Sequence, residues 1–394
     1  MADIPNTALP EKSDRLQSID ITRGLIMAVM ALDHVRDYFS NVHFRPMDPA
    51  LTTVPLFFTR WLSHFCAPAF FLLAGIGVFL ALARGKSRLQ QARYLFSRGV
   101  VLVVLDLVVV RVGWDFNFAF SGGLWFIVLS TLGFSMMILA GLIFLPYPVV
   151  ALFSVVVIGG HNLFDDGLDA AELGRWEPLW VFLHLRQDSS VAGVPFYISY
   201  PLLPWVGVMS LGYCLGPIFR FEAARRRRWL VIGGAAMVVA FVALRASNLY
   251  GDPRPWSLAY EGFFNVLGFL RTKKYPPSLL YLLMTLGPLL MLLAALEHAK
   301  GRLANWLLIF GRVPLFFYML HLYVIHALAV LAGVCSGYRA LDFCVVYTGL
   351  PRGYGFGLPV VYAVTLLALI ICYPACVWFN DLKRRNKAVW LTYL

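Results

Sequence analysis

The sequence predicts an all-α, polytopic integral membrane helical bundle of about ten transmembrane helices, and three observations carry that prediction. First, 60% of the 394 residues are hydrophobic and only 14% are charged, with a mean hydropathy of +0.73, a balance foreign to soluble domains. Second, the apolar residues gather into stretches of about 20, the length that crosses a hydrocarbon layer. Third, the Lys and Arg behind the net charge of +12 fall in short clusters between those stretches. A nucleic-acid surface would gather them in one patch, so the charge reads as topology and no nucleic acid is expected as a partner.

Candidate spans cover residues 19–39, 57–83, 94–112, 123–145, 147–160, 196–219, 229–246, 278–297, 303–332 and 358–379. The fifth is short. The ninth is long and is interrupted at Gly311-Arg312-Val313-Pro314, which leaves room for a short helix before a full span, or for an eleventh crossing. The chain then divides into a tail over 1–18, one membrane domain over 19–380 and a basic tail over 381–394. Lys12 and Arg15 before an apolar stretch imitate a signal sequence, but Asp20 and Arg23 break that stretch and no small-residue cleavage site follows. An uncleaved first span is expected.

With the N-terminus inside, the inner gaps carry Arg84, Lys86, Arg88 and Arg93, then Arg220 and Arg225 to Arg228, then Lys300 and Arg302; Lys383, Arg384, Arg385 and Lys387 follow in the tail. This is the positive-inside pattern, so both termini are expected in the cytoplasm. The outer gap over 161–195 is acidic, with Asp165, Asp166, Asp169, Glu172 and Glu177, and the gap at Ser121 is short. The outer gap over 247–277 departs from the rule, because Arg254, Arg271, Lys273 and Lys274 sit in it and need another reason. The six cysteines form no C-x-x-C pair; Cys335 and Cys344, close together in an outer gap, are candidates for a disulfide.

The chain is organised around Arg15 to Tyr38, whose apolar middle is bracketed by Asp20 and Arg23 at one end and by Asp33, His34, Arg36 and Asp37 at the other. Helical rise separates Asp20 from His34 by roughly 21 Å, which assigns them to opposite leaflets. Spacing of three and four puts Asp20, Arg23 or Gly24, Met27, Met30 and His34 on one stripe, continued by Asp37, and that stripe is expected to face the interior. The plain alternative is a wet helix end at the headgroups. An ionisable group near hydrocarbon faces a partner or a cavity and marks function.

Other polar groups gather at the same outer level. Arg60 and His64 lie one turn apart on the second span, His43 follows the first, and His321 and His326 lie in the ninth. Histidine suits proton transfer near neutrality, and a neighbouring carboxylate such as Asp33 or Asp37 would orient it; the alternative for each ring is a satisfied interhelical hydrogen bond. No H-x-x-x-H or H-E-x-x-H spacing occurs, so no metal is expected. Lys273, Lys274 and Tyr275, stiffened by Pro276 and Pro277, are candidates for gripping an anionic or polyhydroxylated substrate or for anchoring at the interface. On the inner side Arg23, Arg98 and Arg312 exceed what topology needs and are candidates for binding a phosphorylated cofactor.

Four separated motifs carry a resemblance. Ser18-Ile19-Asp20 followed by Arg23-Gly24, Cys66-Ala67-Pro68-Ala69-Phe70 to Gly75, Lys274-Tyr275-Pro276-Pro277-Ser278-Leu279, and Gly311-Arg312-Val313-Pro314-Leu315 to His321 resemble the heparan-alpha-glucosaminide N-acetyltransferase catalytic-domain family and its bacterial members. The resemblance implies a membrane acyltransferase of a bacterial inner membrane. It would take an acetyl group from cytosolic acetyl-CoA and deliver it to an amino sugar or hydroxyl of a glycan on the far side. Counted from Arg23-Gly24, His34 falls where the family has an asparagine, and His43 falls two residues short of its catalytic histidine. The base is therefore expected at His34, with His43 as the alternative. Asp33 or Asp37 would orient it, Arg60, His64 or His321 would supply donors, and Arg23, Arg98 and Arg312 the cationic mouth.

Direct transfer and a covalent acyl-histidine both stay open. The rival function is a proton-coupled secondary transporter, against which no repeat relates the two halves. A non-catalytic scaffold is a third. A homodimer is compatible with the sequence.

Overall fold

The computed structural model describes residues 16–117, 123–165, 170–344, 349–386 and 388–393. Lys12 and Arg15 of the tail, Ser121, the acidic-loop residues Asp166 and Asp169, and Lys387 lie outside the described residues. The protein is mostly helical, and its helices form one bundle with a small sheet at one end.

The first apolar stretch forms α1 (Gln17–Phe39), whose stripe of Asp20, Gly24, Met27 and Met30 is buried; His34 is half-buried, and Asp37, expected to continue the stripe inward, is exposed because the helix ends there beside Arg36. The second forms α2 (Val54–Leu62) and α3 (Cys66–Ala83), run together through a tight turn at Ser63–Phe65. Ser87 and Gln90 form a capping box that starts α4 (Arg88–Leu105), which widens into a π-turn over Asp106–Val110 and ends in α5 (Arg111–Asp115). The π-turn aims Asp106 at a helix that has no side-chain cap of its own, α6 (Val128–Leu142). Asp106 Oδ2 accepts from Ile127 N at 3.0 Å and from Ser130 N at 2.9 Å, so a buried carboxylate satisfies orphan donors where the helix dipole favours negative charge.

The chain continues through α7 (Tyr147–Gly160), α8 (Glu177–His184), α9 (Leu202–Leu215), α10 (Ala223–Ser247), α11 (Phe264–Leu270) and α12 (Leu279–Ala295). It closes with α13 (Arg302–Arg312), α14 (Pro314–Cys335) and α15 (Leu358–Arg385). The interruption in the ninth stretch is real: α13 is a separate 11-residue helix that stops at Val313, ahead of Pro314.

Helix pairs close on glycine. A Cβ on Gly311 would lie 1.8 Å from the Asp20 carbonyl oxygen, and one on Gly24 would lie 1.8 Å from that of Leu307, so α1 and α13 touch backbone to backbone. Gly75 and Gly212 do the same for α3 and α9, Gly99 and Gly133 for α4 and α6, and Gly234 and Gly287 for α10 and α12. Lipid offers helices no hydrophobic reason to associate, so small residues that permit close packing supply it.

Several expectations need correction. The fold is not purely helical. β1 (Leu124–Phe126) pairs in parallel with β3 (Val194–Ile198), and β2 (Asp188–Val191) pairs antiparallel with β3. The β2–β3 turn is Ala192-Gly193, both at positive φ as a two-residue hairpin turn requires. The sixth span therefore starts at Leu202 and not at Phe196, because Phe196 belongs to the sheet. Cys335 and Cys344 are both free.

Among the described residues seven helices are long and apolar enough to cross a membrane: Val54–Ala83, Tyr147–Phe164, Leu202–Arg220, Ala223–Ser247, Leu279–His298, Pro314–Cys335 and Leu358–Arg385. The protein is an integral membrane protein. α1 carries too many charges to join that set, and α6 has only 15 residues.

Candidate active site

His34 sits toward the end of α1, on the face that packs against α14. Its Nδ1 is 2.8 Å from Nε2 of His321, with ring centroids 4.9 Å apart and ring planes within 16°. Two imidazoles meeting nearly edge to edge in one plane are hydrogen-bonded. His321 is fully buried, and its Nδ1 lies 2.9 Å from the Phe317 carbonyl one turn earlier. Trp114 of α5 meets the His34 ring edge-on at 4.9 Å, and Tyr318 does so at 6.3 Å. His326, one turn further along α14, has its ring nitrogens on the carbonyls of Gly113 at 3.0 Å and Phe343 at 2.8 Å, the contacts of a structural histidine.

The carboxylates next to His34 have other partners. Arg60 donates from Nη1 to both Asp33 oxygens at 2.6 Å. Arg36 donates from Nη2 to Asp33 Oδ1 at 3.1 Å and to Asp37 Oδ1 at 2.5 Å. A partly buried ion-pair cluster of this kind fixes α2 to α1, but it turns Asp33 away from the imidazole. His34 is thus oriented by an imidazole where the spacing suggested a carboxylate. His64 is buried against Tyr281, with its Nδ1 unpartnered. His43 is exposed in the loop after α1, with no partner among the described residues.

Below the histidine pair lies a cavity of about 490 Å³. Arg23, Lys86, Arg98, Arg312 and Lys383 line one end of it, while its walls are apolar, with Met27, Phe70, Leu73, Leu129 and Met136 among them. Tyr318 also lines it, so the same ring that meets His34 and, at 5.7 Å, His321 belongs to the cavity wall. Along α1 the rise from Arg23 to His34 is roughly 16 Å, and the nine residues from Arg312 to His321, which cross the break at Val313, correspond to about 14 Å of helical rise. Arg98 donates to the Tyr94 hydroxyl at 2.6 Å and to the Thr392 carbonyl at 3.2 Å, which brings the C-terminal segment Val389–Thr392 to the mouth. Arg98 Nε and Gln91 Oε1 are buried there with no protein partner.

On the other side of the pair, the Lys273–Pro277 segment is folded inward. Lys273 Nζ donates to Asp165 Oδ1 at 3.1 Å, and Asp165 also meets His184 Nε2 at 3.3 Å and accepts from Asn162 at 2.7 Å. Burial pushes the Asp165 carboxyl up, but the His184 and Asn162 hydrogen bonds and the Lys273 charge outweigh it and hold it at about 2. Lys273 therefore locks two loop segments together. Lys274 is only 9% exposed, 5.2 Å from the Tyr275 ring, and its charge acts on Asp33, His34 and His64 alike. Tyr275 donates to the Tyr200 hydroxyl at 3.2 Å under the Arg186 guanidinium, 4.3 Å above its ring. Burial alone would raise its phenol, yet Lys274, Arg60 and Arg186 hold it below its ordinary value.

The geometry thus gathers His34, His321, Asp33, Asp37, Arg60 and Lys274 at one level and Arg23, Arg98 and Arg312 at another; His43 joins neither. Trp114, Lys86, Lys383 and Gln91 were not singled out from the sequence. Lys86 and Lys383 read there as ordinary inner-side charge, and nothing marked an indole on α5 as a neighbour of His34.

Residues 15–250, more than half of the chain, match the family described as heparan-alpha-glucosaminide N-acetyltransferase, catalytic. The chain belongs to this family. No curated protein matches the sequence. Family membership makes the protein a membrane acetyltransferase and does not favour transport. The stretch matched to the acetyltransferase domain contains Arg23, His34, Arg60, His64 and Arg98, whereas Lys274, Arg312 and His321 lie beyond it. The two halves of the histidine pair thus come from either side of that boundary.

Proposed function

We propose that this protein transfers an acetyl group from acetyl-CoA, admitted from the cytoplasmic face, to an amino sugar or hydroxyl of an extracytoplasmic glycan. The observation that carries the proposal is the cavity, cationic at one end, apolar along its walls and bounded by Tyr318 beneath the histidine pair. Arg23, Arg98 and Arg312, with Lys86 and Lys383, suit the phosphates of the donor; the unpartnered Arg98 Nε and Gln91 Oε1 offer polar contacts a ligand would complete. The apolar walls suit its pantetheine arm. The arrangement has ten crossings with both termini cytoplasmic, as the distribution of Lys and Arg supports. A bacterial inner membrane is the proposed location.

At the far end His34 is the base. The acceptor nitrogen or oxygen attacks the thioester carbonyl, the new C–N or C–O bond forms, and the C–S bond breaks. The acceptor proton passes to His34 and then to the departing thiolate, giving the acetylated acceptor and CoA. Of the three candidate donors for the oxyanion, Arg60 is committed to Asp33 and His321 to His34, so His64, with a free ring nitrogen, takes that role. Lys274 and Tyr275 face the acceptor side, while Lys273 serves the fold.

Purified protein supplied with labelled acetyl-CoA and a panel of amino sugars tests the reading. Acetyl transfer that His34→Ala abolishes, with the fold intact, is the expected result. Full activity in His34→Ala together with loss in His43→Ala would move the base to His43.

A further inference from the structure

We infer that His321 is a positioning residue that fixes the tautomer of His34, leaving His34 Nε2 as the reactive lone pair. The inference rests on the acetyl-transfer reading above and adds to it which atom acts and what holds it. The Phe317 carbonyl can only accept, so His321 Nδ1, 2.9 Å away, carries a proton. His321 is fully buried with no carboxylate contact among the described residues, so the ring is neutral and its Nε2 is a lone pair. That lone pair lies 2.8 Å from His34 Nδ1, which must therefore donate. A neutral His34 then has a bare Nε2.

The opposite direction fails at the buried end. If His321 Nε2 donated to His34, its Nδ1 would face the Phe317 carbonyl lone pair against lone pair at 2.9 Å. The 2.8 Å nitrogen contact with centroids 4.9 Å apart and planes within 16° suits a hydrogen bond in either direction, so the Phe317 carbonyl is what sets it. His34 Nε2 has no hydrogen-bond partner among the described residues, and the residue as a whole is only half-buried.

This chain uses an imidazole where a Ser-His-Asp arrangement uses a carboxylate. A neutral partner stabilises an imidazolium less than an anion does, which suits a base that hands its proton straight on. Here the proton taken from the acceptor at Nε2 goes to the sulfur released in the same turnover.

Two variants and one spectroscopic measurement test the inference. The side-chain oxygen of His321→Gln reaches about as far as Nε2 and still accepts, whereas His321→Phe fills the space and offers no acceptor. The Gln variant should keep kcat within about tenfold, and the Phe variant should lose about a hundredfold in kcat with the donor KM unchanged. Nitrogen-15 spectra of histidine-labelled protein, with the His34 signals assigned by their loss in His34→Ala, should show a protonated Nδ1 and an unprotonated Nε2, and mixed tautomers in His321→Phe. An unprotonated Nδ1 on His34, or undiminished kcat in His321→Phe, overturns the inference. The spectra need no turnover, so the tautomer can hold while an active His34→Ala refutes the acetyl-transfer role, or fail while that role stands.

Discussion

Two glycines on α3, one turn-half apart, should respond in opposite ways to the same added carbon. A Cβ at Gly75 would lie 1.9 Å from the Met209 carbonyl oxygen and 2.7 Å from Tyr213 N, both backbone atoms of α9. Real contacts of that kind stay beyond 3.0 Å, so α3 and α9 must part by more than an ångström along a seam that Gly212 closes from the other side. A Cβ at Gly77 meets nothing within 4 Å, because Gly77 faces the cavity. Gly77→Ala should therefore stabilise the protein by about 0.5–1 kcal/mol through helix propensity and leave activity in place. Gly75→Ala should destabilise it by at least about 1–3 kcal/mol, the range for overpacking a well-filled interior.

Gly77→Phe extends the test to function. Its ring enters the space assigned to the donor arm without touching α9, so the fold should survive. A donor that must displace it faces an overpacking penalty of about 1–3 kcal/mol, which at about 1.4 kcal/mol per decade lowers kcat/KM for the donor about 5- to 150-fold. Thermal unfolding in detergent measures the first pair and initial rates against donor concentration the third. Full activity in Gly77→Phe would refute the cavity as the donor path, and a stable Gly75→Ala would refute the backbone seam.

Further outcomes follow from other contacts. Arg60→Ala leaves Asp33 with Arg36 alone and should destabilise by on the order of 3 kcal/mol, part of which Asp33→Asn in the same chain restores; thermal unfolding of the two variants checks it. Arg98→Ala and Arg312→Ala should each raise the donor KM about tenfold or more with kcat little changed, as loss of uniform binding does. The folded Asp165 carboxyl titrates at about 2, below its value of 3.8 when unperturbed, so its stabilising effect is full above that value and is lost only as pH falls through about 2. Asp165→Asn should consequently lower the unfolding temperature equally at pH 6 and pH 8, and a difference between them would refute the assignment. The deletion of residues 389–393 removes the Thr392 carbonyl from Arg98 and should lower the donor KM, read from the same initial rates.

Much of the bundle was legible because lipid imposes a simple grammar: apolar length, basic inner gaps, and polar residues that need a reason. The stripe on α1, the break before Pro314 and the cationic residues Arg23, Arg98 and Arg312 all follow from it. The sheet was not legible, because β1 has three residues and pairs with a strand far away in sequence, and Phe196 to Ile198 reads equally well as the start of a span. The glycine seams were invisible for the same reason: Gly311 is a helix end until α1 is laid against it.

What the sequence by itself determined is that His34 and Arg23 lie toward opposite ends of a charged first helix and that Arg23, Arg98 and Arg312 are cations close to or within apolar runs. Periodicity and hydropathy are local properties, and they rank residues along an axis. Which group faces His34 is a property of two helices meeting across 287 positions of chain. Only the packing of α1 on α14 decided that His321 holds that ring, and only its packing on α2 that Arg60 joins Arg36 on Asp33, because a hydrogen-bond partner is chosen by distance and direction in space and spacing along one helix cannot express either.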